Sequence, residues 1–351
     1  MLAGSIQISG ETLSSAEVKD ICESLRAHSV RLLSLRGCHL SDRDFGRISR
    51  HVAECQSLAQ LNLNLGVVST LARVQQLAEA LVANRSIHSL FLHGSPLTDS
   101  GLAVLNPALS LHPSLISLDL GDCVLGDEAI NLICGLLPPD GAKSGLKELT
   151  LSANPAITVK GWARLMIAVA HSSQLRVLNL DYNPLGDHIA GMLAVAVASS
   201  RTLEVVDLEG TGLTNQSAQI FLDMVQNYPT SMRSLILAEN NISLELQQQI
   251  SDLLSEGEEE EDNDNEDQED SEREKDIWIN QSIQPKWSHL LYENRKCWEY
   301  STDSTICSLF YLHILKSLGK EDVERRFPYQ ASPTILMSTG LEDSLLAETE
   351  M

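Results

Sequence analysis

Carboxylates recur along this 351-residue chain at intervals that could set them side by side. Asn179 and Asp207 are 28 residues apart, as are Asp181 and Glu209, and as are Phe91 and Asp119. If that interval is one structural turn, Asp119, Asp122, Asp181, Asp207 and Glu209 form an acidic patch together with Asn179 and Tyr182. Phe91 and His93 then place an exposed aromatic and a titratable ring beside it. An aromatic next to charges is the usual make-up of an interface anchor, and an acidic field steers Lys/Arg-rich partners. The plainer reading is a solvated sheet face, polar because nothing covers it.

Catalysis finds no such support. The sequence holds no G-x-x-x-x-G-K-[ST], no H-E-x-x-H and no G-x-S-x-G. The ten His are scattered, and Cys38-His39 and Asp187-His188 lack further ligands at metal-site spacing. Carboxylates on a strand with no glycine loop make a poor cation site. The chain reads as a non-enzyme with no cofactor and no metal.

The elements that must position these residues follow from an eleven-residue phrase, Leu-x-x-Leu-x-Leu-x-x-Cys/Asn-x-Leu. It appears as Leu115, Leu118, Leu120, Cys123, Leu125 and again as Leu175, Leu178, Leu180, Asn183, Leu185. Its middle leucine recurs at Leu33, Leu61, Leu90, Leu118, Leu149, Leu178, Val206 and Leu235, with steps of 28 to 31. The longest step contains Pro138-Pro139-Asp140-Gly141, a turn cluster that absorbs extra residues. A phrase of this kind at this period marks a leucine-rich repeat.

Within one unit Leu118 and Leu120 point to one side of a short strand and Asp119 to the other. An amphipathic run follows, such as Val18, Ile21, Cys22 and Leu25, whose spacing is helical. Ser41-Asp42, Thr98-Asp99, Gly126-Asp127, Gly186-Asp187 and Thr214-Asn215 suit helix starts, where short polar side chains accept from unpaired amides. The expected fold is α/β: a horseshoe solenoid with parallel inner strands and outer helices of roughly 12–15 residues. Cys38, Cys123, Asn154, Asn183 and Asn240 take the ninth place of the phrase, where an amide or thiol ties neighbouring turns. Repeat two lacks that place, so an irregular turn is expected there.

The domain reading is a capping half-repeat at 1–28, eight repeats at 29–255, and a disordered acidic linker at 256–276. A weakly structured aromatic-rich segment at 277–330 and a flexible tail at 331–351 complete it. The acidic block carries 14 Asp/Glu against Arg273 and Lys275, −12 of the chain's −23 net charge, too self-repelling to collapse. It reads as a solvated spacer or as a recruiter of basic partners. Residues 277–330 hold 9 of the 15 aromatics.

Such a net charge argues against a nucleic-acid partner, since phosphate neutralisation needs Lys and Arg. Seven Cys, an odd number without C-x-x-C spacing, suggest reduced thiols rather than a disulfide framework. No secretory leader is visible before the first repeat, and no apolar run in the tail is long enough to cross a bilayer. A cytoplasmic monomer with a protein partner and no membrane contact is the expectation.

The 28–29-residue period and phrases such as Leu175-Arg-Val-Leu178-Asn-Leu180-Asp-Tyr-Asn183-Pro-Leu185 resemble the ribonuclease-inhibitor class of leucine-rich repeats. The resemblance covers residues 1 to about 257 and the last dozen or so, and leaves the Trp-rich stretch between them outside. It implies the horseshoe fold and a protein-binding concave face, with little about which partner. The Ran GTPase-activating protein belongs to the same class and carries an acidic segment. By resemblance, stimulation of GTP hydrolysis in a small GTPase is therefore an alternative function.

Overall fold

The computed structural model describes residues 4–139 and 144–261, with side chains to residue 255. The strands are β1 (Ser5–Gln7), β2 (Leu32–Ser34), β3 (Gln60–Asn62), β4 (Ser89–Phe91), β5 (Ser117–Asp119), β6 (Glu148–Thr150), β7 (Val177–Asn179), β8 (Val205–Asp207) and β9 (Ser234–Ile236). A helix follows each: α1 (Ser15–Arg26), α2 (Asp42–Glu54), α3 (Leu71–Ala83), α4 (Thr98–Leu111), α5 (Asp127–Cys134), α6 (Val159–His171), α7 (Asp187–Ser199), α8 (Asn215–Asn227) and α9 (Leu244–Glu261). Among the described residues all strands form one parallel sheet in sequence order. Ile6 pairs with Leu33, Leu33 with Leu61, and so on to Val206 with Leu235.

Three-residue strands have no stability of their own. Stacking supplies it, because each anchor side chain is covered by the repeats on both sides. Leu33, Leu90, Leu149, Leu178 and Val206 are fully buried, and with the apolar stripes of the helices they make one continuous core.

The ninth place of the phrase is a hydrogen-bonding joint. Asn154 Nδ2 donates to the carbonyls of Leu120 (3.0 Å) and Leu151 (3.1 Å), while its Oδ1 accepts from Cys123 N and Leu125 N. Asn183 repeats the pattern one turn later, and its Oδ1 accepts from Asn154 N at 2.7 Å. Cys123 fills the same place with its thiol directed at the carbonyls of Leu92 and Gly121. In repeat two, Asn64 Oδ1 accepts instead from His93 N (2.8 Å), and Val67 and Val68 close the turn from inside.

Four places after each anchor the backbone turns left-handed. Gly37, Leu65, Gly94, Asp122, Ala153, Tyr182, Gly210 and Glu239 have φ between 47° and 71°. Non-glycine residues at such φ carry strain, which the repeated joint overcomes at Asp122, Ala153, Tyr182 and Glu239, while Leu65 belongs to the irregular second turn.

Four expectations are corrected. The first 28 residues hold a full β1–α1 pair rather than half a repeat, with Ser14 and Glu17 forming a capping box. α5 has eight residues, below the expected length, because Gly135 takes its C-cap and Pro138 follows shortly after. α9 runs through Glu261, into the segment read as an acidic linker. The rest of that linker, the aromatic-rich segment and the tail lie outside the described residues, as do Asp140 and Gly141.

The fourth correction concerns helix starts. Ser41 and Thr214 do cap their own helices. α4, α5 and α7 have no side-chain cap, and their acidic residues reach across to a neighbouring repeat instead. Asp99 accepts from Gly126 N (2.6 Å), Asp127 from Thr158 N and Oγ1, and Asp187 from Thr214 N and Oγ1 and from Ser217 Oγ. These aspartates strap adjacent helix starts together.

Candidate concave interface

Side chains cross the open face of the sheet in rows. The central row runs Phe91, Asp119, Thr150, Asn179, Asp207, each paired with the next across adjacent strands. Strands step about 4.8 Å, so Phe91 and Asp207 are four steps, roughly 19 Å, apart. The second row holds His93, Gly121, Ser152, Asp181 and Glu209, and the left-handed turns add Asp122, Tyr182 and Glu239. All nine candidate residues therefore lie on this face or its rim.

The central row has a backbone duty that sequence reading did not detect. Asn62, Asp119, Asn179 and Asp207 each accept, through Oδ1, the N–H two residues on: Asn64, Gly121, Asp181 and Glu209, at 2.9–3.1 Å. The alternating ladder leaves that N–H without a carbonyl, and a short side-chain oxygen supplies one. The signal was legible as an Asx residue recurring one place after the anchor.

Asparagine does this job at 62 and 179, so the aspartates at 119 and 207 bring charge that the backbone does not need. That charge is unfavourable to the fold. Burial pushes the Asp119 carboxyl above its ordinary range, outweighing the Gly121 bond and the nearby His93. Burial likewise raises Asp207, with Asp181 and Glu209 as negative neighbours adding to it. Asp181 Oδ1 is shut off from solvent and meets no donor among the described residues.

A stability test follows. A carboxyl with a raised folded-state value holds its proton more tightly in the folded chain. Its cost is absent below the unfolded value near ~3.9 and fully present above the raised one. Asp119→Asn keeps the acceptor for Gly121. At pH 7 it is expected to raise the denaturation midpoint, by about 1 kcal/mol or less, and the gain should vanish near pH 3. Equal stability of variant and parent at both pH values would contradict this account.

The aromatic groups differ from expectation. Phe91 is half-buried, and the exposed aromatic is Tyr182, at 49 %. Tyr182 lies over Gly210, where a Cβ would come within 2.8 Å of its ring. Its hydroxyl donates to Glu209 Oε1 (2.5 Å) and Glu239 Oε2 (3.1 Å), and the Glu209 bond is the main reason its own proton is held more tightly than usual. His93 sits against Gly121, its Nδ1 3.7 Å from Asp119 Oδ1. Asp122 is exposed on the rim. Two groups thus form, Phe91–His93–Asp119 and Asn179–Asp181–Tyr182–Asp207–Glu209. Thr150 and Ser152 stand between them.

The arrangement gathers negative charge on one face of the sheet. Buried Cys123 is pushed up to about 12 and Cys134 to about 11, far from a reactive thiolate. Among the described residues no group of three or more His, Cys, Asp or Glu could hold a metal ion. Also among them, no helix is long and apolar enough to cross a membrane. Two small hollows, one beside Leu109, Leu136 and Leu146 and one between α2, α3 and β3, lie away from the acidic rows.

Comparison with known proteins agrees with this geometry. A family model described as "Leucine Rich repeat" matches residues 112–134. Leucine-rich repeat-containing protein 73 of Homo sapiens is 66% identical over 351 residues, covering 100% of both chains. That alignment includes the Trp-rich stretch expected to fall outside the resemblance. Ribonuclease inhibitor of Sus scrofa is 28% identical over 240 residues, 68% of this chain and 51% of that one. The structure of the Rad7 and Elc1 complex in yeast aligns with TM-score 0.50 and 16% identity, over 71% of this chain and 60% of that one, a likeness of fold. The register, the asparagine joints and the full-length match agree: this chain belongs to the leucine-rich repeat-containing protein 73 family, a solenoid of the ribonuclease-inhibitor-like kind.

Proposed function

We propose that this protein is a non-enzymatic scaffold whose concave face, from β5 to β9, binds a Lys/Arg-rich segment of a protein partner. The observation that carries the reading is the unneeded charge of the central row. Asn62 and Asn179 perform the backbone duty without charge, whereas Asp119 and Asp207 perform it at a desolvation cost. A solvated face with no occupant gives no physical reason to keep that cost. Cationic side chains laid across Asp119, Asp181, Asp207 and Glu209 would offset it. Exposed Tyr182 would supply stacking area for an arginine or an aromatic.

The buried free thiols fit a reducing, cytoplasmic setting. Asn84, in an Asn-Arg-Ser sequon, is buried with its amide bonded to the carbonyls of Val52 and Cys55, so it is closed to glycosylation.

The test compares the full chain with its Asp181→Lys/Asp207→Lys variant. Binding of a 15-residue Lys/Arg-rich peptide is titrated at two salt concentrations, alongside capture from a cell lysate. Peptide affinity is expected to fall tenfold or more, since reversing charges at a desolvated contact costs about 2 kcal/mol or more. Captured basic proteins should be lost as well. Unchanged affinity and capture would overturn the reading, because the acidic block at 256–276 would then be the attractor.

A further inference from the structure

An exposed apolar side chain recurs on the rim where strands give way to helices. Pro96, Val124, Pro155 and Pro184 each come straight after the ninth place of the phrase, in four consecutive repeats. All four are exposed, although the residues on either side of Pro96, Val124 and Pro184 are buried. The joints set them side by side. Asn154 Oδ1 accepts from Cys123 N (3.2 Å) and Leu125 N (3.0 Å), which brackets Val124 beside Pro155. Asn183 Oδ1 accepts from Asn154 N, which brings Pro184 up next. The result is a ledge one side chain wide and, at the strand spacing, about 14 Å long.

The fold does not require an apolar group there, since Gly212, with φ 74°, fills the same place three repeats after Val124. Val124 is 55 % exposed and has φ 58°, a left-handed conformation that a β-branched residue rarely adopts. Leu65, in the irregular turn of repeat two, is a second such case, with φ 60° and 47 % exposure. At the other places proline brings an apolar ring that loses no side-chain freedom on contact. Carboxylates flank the ledge. Asp122 is exposed two places before Val124, and Tyr182, bonded to Glu209, stands two before Pro184. On the helix side half-buried Asp99, Asp127 and Asp187 come three places after Pro96, Val124 and Pro184. Against these, α6 brings Lys160 into its first turn.

We propose that this ledge seats an extended segment of a protein partner in which aliphatic residues alternate with Lys or Arg. The aliphatic side chains cover Val124 and the prolines, and the cations reach the carboxylates on either side. A strip this narrow fits an extended chain, because the apolar stripe of a helix is broader. The cationic half of the segment rests on the reading of the concave face given above, and the aliphatic half is independent of it. A second copy of this chain is the weaker occupant. It would bring a net charge of −23 against a rim that is already acidic.

Two peptides of about fifteen residues, built of Lys-Pro-Leu and of Lys-Pro-Ser repeats, carry equal charge and are both held extended by proline. The full chain should bind the leucine peptide about fivefold more tightly or better. Val124→Asn adds no charge and suits a left-handed turn. Its denaturation midpoint should equal or exceed the parent's, while the preference for leucine shrinks to about twofold or less. Stability kept and binding lost together mark a residue retained for contact. Equal binding of the two peptides by the parent, binding of neither, or a preference that survives in the variant overturns the proposal. A lowered midpoint overturns it as well, since Val124 would then serve the fold. If Asp181→Lys/Asp207→Lys leaves both affinities unchanged while Val124→Asn abolishes the preference, the ledge stands and the concave-face reading falls.

Discussion

Asn183→Ala is expected to lower the stability of the array by about 3–5 kcal/mol. The amide is fully buried and donates to the carbonyls of Leu151 and Leu180, both at 2.9 Å, while accepting from Asn154 N at 2.7 Å. Truncation strands the Leu180 carbonyl and the Asn154 N–H in a dry turn, and leaves the Leu151 carbonyl with Asn154 Nδ2 alone. Each stranded group costs about 1–3 kcal/mol, and relaxation of the turn recovers part of the sum. The loss should be local as well as global, because Asp181 and Tyr182 precede the joint and depend on it for their geometry. Asn183→Cys should cost clearly less, since Cys123 already fills the equivalent joint with its thiol. Denaturant titration with residue-level hydrogen exchange checks both variants. An alanine variant within 1 kcal/mol of the parent, or a cysteine variant no better than alanine, would show that the joint is not the hydrogen-bonding device described.

Trp162→Ala should be comparably damaging, at about 3–5 kcal/mol. Trp162 heads the fully buried side chains by volume, and its helix α6 packs between α5 and α7. Its indole N–H meets no protein acceptor among the described residues, so the loss is one of packing alone. Trp162→Phe, which keeps most of the ring, is expected to cost about 1–2 kcal/mol, in the range of partial core truncation. In a solenoid a cavity weakens the two adjoining interfaces more than distant ones. Exchange should therefore rise in β6 and β7 before β2 and β3. Uniform loosening, or a phenylalanine variant as unstable as alanine, would contradict that picture.

Much of the fold was legible because the repeat encodes geometry locally. A two-residue spacing of leucines gives strand sides, a three-to-four spacing gives a helical stripe, and a constant period stacks one on the next. The joint residues were legible for the same reason, as a place in the phrase. The exceptions are equally local. α5 is short because Gly135 ends it ahead of Pro138, and repeat two turns differently because it has no ninth-place residue.

Composition and period thus determined the strand register, the core and the row to which each candidate residue belongs. Only the tertiary structure decided how those rows behave. It left Tyr182 rather than Phe91 exposed, because a left-handed turn lifts Tyr182 onto the bare backbone of Gly210. It turned Asp99, Asp127 and Asp187 from caps of their own helices into straps across repeats, and it showed the central-row Asx residues serving the backbone. The exposure of Tyr182 and the aspartate straps depend on atoms 27 to 31 residues apart in sequence, whereas the Asx bonds reach only two residues on and wait on the strand to set their geometry. A local pattern says nothing of such contacts, and only the close approach of stacked turns creates them.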